Sequence, residues 1–206
     1  MASKKQTVPN NLFMVGARGS GKSYAIRSLS RYRPRFVYID VTNTVKSYTY
    51  TDTDAKRLAA RMQTEEVYDC CLWIGHLNSD QMMEAVHIII HEAKRRDGYV
   101  TIAIDEFAVI YPGRRAQELE SAARMGRHHQ VSIWLGSQRI TDAHPNLLSA
   151  TDKMYIYRLA APTDYKAVER NLGGKDMAEA IRSLDEYNYV VYDTGTGQWE
   201  KRKPVS

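Results

Sequence analysis

The sequence is poor in cysteine and has no long apolar segment. Its two cysteines, Cys70 and Cys71, are adjacent, and adjacent residues are poorly placed to form a disulfide. No histidine or cysteine companions stand at the spacing of a zinc site, so we predict two buried thiols on a strand. The longest apolar runs, such as 100–104 and 131–135, are about five residues, whereas a membrane-spanning helix needs about 20. Stable membrane insertion is therefore not expected.

The chain also lacks low-complexity segments, fixed-period repeats and any excess of glycine or proline. Nothing therefore marks a domain boundary. A length of 206 residues with 43% apolar content is enough for one α/β domain with a core on both sides of a sheet. We predict a single domain over residues 1–206, with a motif-bearing core at about 11–140 and a C-terminal extension at about 141–206. The charged start of the chain is not followed by the apolar stretch of a signal peptide.

Negative charge is in the minority. The 29 lysine and arginine residues outnumber the 24 aspartate and glutamate residues, which gives a formal net charge of +5 and a pI near 9.1. This balance favours a polyanionic partner but does not establish one, since many basic proteins ignore nucleic acid.

A complete phosphate-binding loop lies near the start of the chain. Residues 16–23 match the pattern Gly-x-x-x-x-Gly-Lys-Ser, between an apolar run at 11–15 and a helix-compatible run at 22–29. Glycines let successive N–H groups curl around phosphate oxygens, and the helix N-terminus adds positive charge. Lys22 is expected to reach the β- and γ-phosphates of ATP, and the Ser23 hydroxyl to bind Mg²⁺. The predicted nucleotide-binding residues are Gly16, Ala17, Arg18, Gly19, Ser20, Gly21, Lys22, Ser23 and Tyr24.

Two acids supply the second half of the predicted site. Asp105 and Glu106 follow the apolar run 100–104, and parallel sheets bind ligands at the carboxyl ends of their strands. Asp105 suits magnesium binding, and Glu106 suits activation of the attacking water. Gln138 follows another apolar strand. If that strand lies between the P-loop strand and the Asp105 strand, Gln138 comes beside the γ-phosphate.

The order of elements predicts the fold class. Strands alternate with helices, which favours a mostly parallel sheet with helices on both faces. We predict a single α/β P-loop NTPase domain of the ASCE type that ends in a β-hairpin. The predicted strands are 11–15, 35–40, 68–74, 100–104, 131–135 and 153–158, with hairpin strands at 187–193 and 198–203. The predicted helices are 22–29, 52–62, 79–96 with Ser79 as the cap, 163–171 and 175–184.

The motifs, taken in order, resemble the HerA–FtsK superfamily of DNA-pumping ATPases. The discriminating part is the Arg-Met-Gly-Arg-His-His stretch at 124–129, which leads into a strand followed by Gln138. The short chain looks most like the genome-packaging ATPases of tailless icosahedral viruses with an internal membrane. The resemblance implies ATP hydrolysis, a homo-oligomeric ring expected to be a hexamer, double-stranded DNA as the cargo, and a viral capsid or portal-vertex protein as a partner. It also implies a location in the host cytoplasm or the virion.

The resemblance further implies an arginine that reaches the ATP site of a neighbouring subunit. Arg127 is the candidate, and Arg124, Arg139 and Arg158 are its rivals. Candidate DNA contacts are the basic segments 94–96, 114–115 and 201–203, each of which is also compatible with an ordinary solvated surface.

Two other functions fit parts of the pattern. One is a nucleotide-switched assembly or secretion ATPase of a phage, although morphogenesis ATPases of filamentous phages typically carry a membrane segment. The other is a small-molecule kinase, but no compact arginine-rich lid segment is visible, and a carboxylate that activates water works against phosphoryl transfer to another acceptor. Glu106 therefore favours hydrolysis.

Overall fold

The computed structural model describes residues 10–43, 48–111 and 117–204. Its strands are β1 Leu12–Val15, β2 Arg35–Asp40, β3 Tyr50–Asp52, β4 Tyr68–Trp73, β5 Val100–Ile104, β6 Val131–Ser137, β7 Lys153–Ile156, β8 Tyr189–Asp193 and β9 Trp199–Arg202. Its helices are α1 Lys22–Ser30, α2 Ala55–Thr64, α3 Ser79–Arg95, α4 Phe107–Ile110, α5 Gln117–His129, α6 Pro145–Ser149, α7 Pro162–Asn171 and α8 Gly174–Arg182, with a 3₁₀ turn at Ile140–Asp142.

The strands form one sheet in the order β3-β4-β2-β5-β6-β1-β7-β8-β9. All neighbours as far as β7 are parallel, and β8 and β9 add an antiparallel hairpin at one edge. The predicted α/β class, the mostly parallel sheet and the closing hairpin are therefore confirmed. β6 lies between β5 and β1, and its residues pair with both, Leu135 with Ile104 and Ser137 with Val15.

The two faces of the sheet carry separate apolar cores. Along β1, Leu12 and Met14 point to one face, while Phe13 and Val15 point to the other, as the two-residue period of a strand requires. Among the described helices, α1 alone contributes to the smaller core. Residues of α2, α3, α5, α7 and α8 pack into the larger one. Helices thus cover both faces, as predicted, but very unequally.

The predicted cap of the long third helix was wrong by one residue. Asn78, not Ser79, precedes α3: its side chain accepts a hydrogen bond from the Gln81 N–H at 3.0 Å, and the Gln81 side chain accepts one from the Asn78 N–H at 3.1 Å. This reciprocal capping box satisfies two N–H groups that would otherwise lack partners. Serine and asparagine are both good caps, so composition alone does not choose between them.

Cys70 and Cys71 are free, buried thiols on β4, as predicted. Burial raises the pKa of each to about 12, so neither is a reactive thiolate near neutral pH. Of the helices in the described ranges, none combines the length and the apolar character needed to cross a bilayer.

Candidate active site

The predicted phosphate-binding residues, both acids and Gln138 meet at one edge of the sheet. The loop 16–21 follows β1, Asp105 and Glu106 follow β5, and Gln138 follows β6, so the carboxyl ends of three adjacent parallel strands deliver them together. They surround a cavity of about 500 Å³, within the range of about 300–1,000 Å³ that is usual for small-molecule sites. Its lining residues are Arg18, Gly19, Ser20, Gly21, Lys22, Ser23, Tyr24, Thr42, Asp105, Glu106, Val109 and Gln138.

The Lys22 ammonium is held by the loop that precedes it. Its Nζ donates to the Gly16 carbonyl at 2.7 Å and to the Ala17 carbonyl at 3.1 Å. Burial lowers the pKa of Lys22, and the nearby carboxylates of Asp105 and Glu106 act in the opposite direction. The loop therefore orients the Lys22 side chain, and the two acids supply counter-charges to it.

The loop backbone takes the conformation that phosphate binding needs. Gly21, directly before α1, has φ +100°, which side chains on L-residues disfavour. The N-terminus of α1 then opens towards the cavity with its partial positive charge. The Ser20 hydroxyl is buried and has no hydrogen-bond partner among the described residues. A buried polar atom of this kind fits a site that is completed by a polar ligand such as a triphosphate.

Asp105 is fixed by three donors. Its Oδ2 accepts hydrogen bonds from the Ser23 hydroxyl at 2.5 Å and from the Tyr38 hydroxyl at 2.8 Å, and its Oδ1 accepts one from the Glu106 N–H at 3.0 Å. The hydroxyl and carboxylate oxygens of Ser23 and Asp105 therefore lie side by side on the wall of the cavity. Oxygens are the ligands that Mg²⁺ prefers, so these two residues suit the predicted magnesium site.

Two residues that support Asp105 were not predicted. Tyr38 reaches it from β2, the neighbouring strand. Gly136 of β6 leaves room for it on the other side, since a Cβ atom there would lie 2.3 Å from Asp105 Oδ1. A tyrosine between apolar residues of a strand and a glycine near a strand end were the available signals, but the contacts of both residues depend on which strands are neighbours.

Glu106 and Gln138 form a pair. Gln138 Nε2 donates to Glu106 Oε1 at 3.1 Å, and both side chains line the cavity. Partial burial raises the pKa of Glu106, while the hydrogen bond from Gln138 lowers it. Glu106 also has φ +52° and ψ +44°, the left-handed region that is uncommon for residues other than glycine. Such strained residues concentrate at functional sites.

The candidate arginines do not join this cluster. Arg127 lies in the last turn of α5, just before β6, and its side chain lies outside the described part of the chain. Gln138 follows the opposite end of β6, whose seven residues span roughly 20 Å. Arg124 shares α5 with Arg127. Arg139 is held by α7, with Nη2 3.1 Å from the Thr163 hydroxyl and Nε 3.6 Å from the Asp164 carboxylate. Arg158 is exposed at the cavity edge of the sheet, where its carbonyl accepts from the Ala17 N–H.

The chain is similar in fold to several solved ATPases. It matches the genome-packaging NTPase B204 of Sulfolobus turreted icosahedral virus 2, solved with ATPγS, at 18% identity and a TM-score of 0.78, over 96% of this chain and 98% of that one. It matches VirB4 of Thermoanaerobacter pseudethanolicus at 11% identity and a TM-score of 0.69, over 94% and 89% of the two chains. The cytoplasmic domain of the Thermomonospora curvata type VII secretion ATPase EccC is 18% identical, with a TM-score of 0.64, over 95% of this chain and 25% of that one.

These likenesses confirm, at the level of the fold, the predicted resemblance to viral packaging ATPases and their relatives. No curated protein matches the chain. The model of the AAA domain family matches residues 6–141, which include the P-loop, both acids and Gln138. By this match and by its cavity, the chain belongs to the AAA domain family and is a P-loop ATPase.

Proposed function

We propose that this ATPase is a translocase of double-stranded DNA that packages a viral genome into a preformed capsid. It acts as a homo-oligomeric ring, for which six subunits is the expected number. Support comes from the likeness in fold to a genome-packaging NTPase, from the excess of positive charge, and from a site whose chemistry suits repeated hydrolysis.

The observation that carries the proposal is the hydrogen bond between Gln138 and Glu106 on the rim of the phosphate cavity. A carboxylate at this position takes the proton of an attacking water, and an amide beside it orients that water or senses the terminal phosphate. Glu106 and Gln138 follow the ends of two adjacent strands, β5 and β6. A shift of one strand relative to the other therefore changes the geometry of this pair and, with it, the chemistry of hydrolysis. A motor needs this kind of link between turnover and movement.

Phosphate binding, metal binding and proton transfer are assigned to different residues of the cavity. The amides of loop 16–21 and the Lys22 ammonium hold the β- and γ-phosphates of ATP and offset the charge that develops on them. Ser23 and Asp105 would hold Mg²⁺, which would offset the negative charge of the phosphates. Glu106 accepts a proton from the water whose oxygen bonds to the γ-phosphorus, and the bond from that phosphorus to the β-phosphate oxygen breaks to release ADP.

Arg127 is proposed to act on the ATP of a neighbouring subunit. Its position at the far end of β6 places its backbone roughly 20 Å from the edge where its own Gln138 lies, and this distance favours a role at a neighbouring subunit. A ring would have to bring this end of α5 against the next subunit's cavity. Of its rivals, Arg139 is held by α7 and Arg124 lies on α5 with Arg127, whereas Arg158 is exposed at the cavity edge of its own subunit.

Of the three basic segments, 201–203 suits DNA phosphates best. All of its residues are exposed on β9 and beyond it, although Lys201 donates to the Ser183 hydroxyl at 3.0 Å and Arg202 donates to the Glu200 carboxylate at 2.9 Å. In the 94–96 segment, Arg96 instead donates to the carbonyls of Gln63 and Glu65. Residues 114–115 lie outside the described ranges.

The test is ATP hydrolysis measured against the concentration of linear duplex DNA, at several salt concentrations, with the assembly sized in ATP and Mg²⁺. We expect DNA to raise the rate several-fold at low salt, with the effect declining as salt rises because phosphate contacts are screened. Glu106→Gln should bind ATP but barely turn over, since the amide cannot accept the proton. It is the matched control for any contaminating ATPase.

Three results would count against the translocase. Equal rates with and without duplex DNA at every salt concentration would remove DNA as the cargo. Stoichiometric ATP binding by a ring that never turns over would favour a nucleotide-switched assembly protein. Stimulation by heparin equal to that by DNA would show a response to any polyanion.

A further inference from the structure

A second cavity adjoins the phosphate cavity and differs from it in chemistry. It has a volume of about 370 Å³ and is lined by Gly21, Tyr24, Ala25, Tyr157, Tyr187 and Pro204. Gly21 and Tyr24 line both cavities, so one molecule can extend from one into the other. The phosphate cavity contains charged side chains, whereas the side chains of the second are aromatic or aliphatic.

The wall of this second cavity comes from the C-terminal part of the chain. Tyr187, just before β8, packs against the P-loop: a Cβ atom at Gly21 would lie 3.3 Å from Tyr187 Cδ1. Tyr187 has φ +63°, and the neighbouring Glu186 carboxylate raises the pKa of its hydroxyl. Its ring lies beside the loop although the residue is 47% exposed.

Tyr157 closes the inner side of the cavity. It is buried and lies in contact with the ring of Tyr189, with 5.3 Å between the ring centroids. Tyr24, in the first turn of α1, is 62% exposed and stands at the mouth. Two exposed aromatic rings in the lining of an apolar cavity suit the binding of a flat ring by stacking.

We propose that this second cavity holds the nucleobase of the triphosphate whose phosphates bind to loop 16–23, with Tyr187 as the principal stacking ring. The proposal rests on nucleotide binding at the phosphate cavity and does not require DNA. It gives the C-terminal extension a part in the ATP site. The lining side chains include no amide or carboxylate, so the base is held mainly by stacking, and ATP and GTP should bind with affinities within about tenfold of each other.

The experiment compares the binding of ATP, GTP and inorganic tripolyphosphate to the full chain by calorimetry in Mg²⁺. Tyr187→Ala should weaken ATP binding at least about fivefold and leave tripolyphosphate binding within about twofold, because it removes stacking and spares the phosphate contacts. Tyr187→Phe should keep the affinity for ATP, since the ring remains. Tyr32→Ala, which removes another exposed tyrosine beyond the opposite end of α1, is the matched control and should change neither.

Unchanged ATP affinity in Tyr187→Ala would overturn the assignment of the cavity. An equal loss of ATP and tripolyphosphate binding would also overturn it, because it would show that Tyr187 supports the loop and does not contact a base. A preference for ATP over GTP of more than about 100-fold would overturn recognition by stacking. If DNA did not stimulate hydrolysis, the translocase proposal would be contradicted and the proposed base-binding cavity would be unaffected. The two proposals are therefore tested separately.

Discussion

The two cavities that meet at Gly21 are built by different means. The phosphate cavity uses backbone amides, one ammonium and two carboxylates, and its residues come from the first two-thirds of the chain. The adjoining cavity uses tyrosine and proline side chains, two of them from residues 187–204. Phosphate binding demands a fixed backbone path and fixed charges, which leave a recognisable motif. Stacking needs only a flat apolar ring at the right place, and this requirement leaves no recognisable motif in the sequence.

The largest expected effect separates the two cavities directly. Lys22→Met should lower kcat/KM for ATP at least about 100-fold, since it removes the cation that offsets phosphate charge. It should also weaken tripolyphosphate binding, in contrast to Tyr187→Ala. Lys166→Met, which removes an exposed lysine of α7, is the control, with affinities measured by calorimetry. If Lys22→Met bound tripolyphosphate as tightly as the unaltered protein, the proposal that one cavity binds the phosphates and the other the base would be wrong.

The next effect lies within the phosphate cavity and depends on pH. Glu106 must be ionised to accept a proton, so kcat should fall as the pH drops through its raised pKa. The hydrogen bond from Gln138 lowers that pKa. Gln138→Leu should therefore move the acidic limb of the pH–kcat profile to higher pH and reduce the maximum by about 10- to 100-fold. An acidic limb that stays in place would mean that Gln138 does not act on Glu106.

A smaller effect concerns Tyr38, the residue that supports Asp105 from β2. Tyr38→Phe removes one hydrogen bond to a carboxylate, so the Mg²⁺ concentration for half-maximal activity should rise about tenfold. The maximal rate in excess Mg²⁺ should be little changed, because Tyr38 does not touch the phosphates. Tyr48→Phe is a close control, since the Tyr48 ring stacks on Tyr38 and its buried hydroxyl has no hydrogen-bond partner in the described ranges. Equal Mg²⁺ dependence in the two variants would rule out the positioning role.

The smallest effect is on stability. Glu106 and Tyr187, one in each cavity, are non-glycine residues with positive φ. Glycine relieves this strain and alanine does not, so Glu106→Gly should have a free energy of unfolding about 1 kcal/mol higher than Glu106→Ala. Urea denaturation measures the difference, and both variants should be inactive. A less stable glycine variant would show that the surrounding contacts impose no strain at this position.

The sequence predicted the site best where chemistry restricts the backbone. The P-loop and the acid pair follow from residue types at fixed spacing, and the structure brings Lys22, Asp105 and Gln138 together at one edge. The hydrolytic role of Glu106 stays a prediction. The place of β6 between β1 and β5 could only be stated as a condition, since strand order depends on long-range packing. Tyr38 and Gly136 were not predicted for the same reason. Their contacts with Asp105 depend on the order and alignment of the neighbouring strands.

The fold was predicted well where periodicity is strong and less well in short elements. The buried strands and the long helix α3 came within a few residues of their observed bounds. β3, with three residues, and α4, with four, are too short to show a period. α5 was not assigned as a helix, because the segment 124–129 was interpreted only for its motif. Arg127 remains a prediction, since a role in a neighbouring subunit leaves no mark within one chain.

The central place of β1 has a consequence for how the chain folds. The first described strand has no neighbours near it in sequence: Leu12 pairs with Trp134 on one side and with Lys153 on the other. During synthesis β1 therefore has no partner in the sheet until β6, more than 100 residues later in the sequence, has been made. The phosphate-binding loop follows β1 directly, so a nascent chain becomes able to bind nucleotide long after the motif itself has emerged.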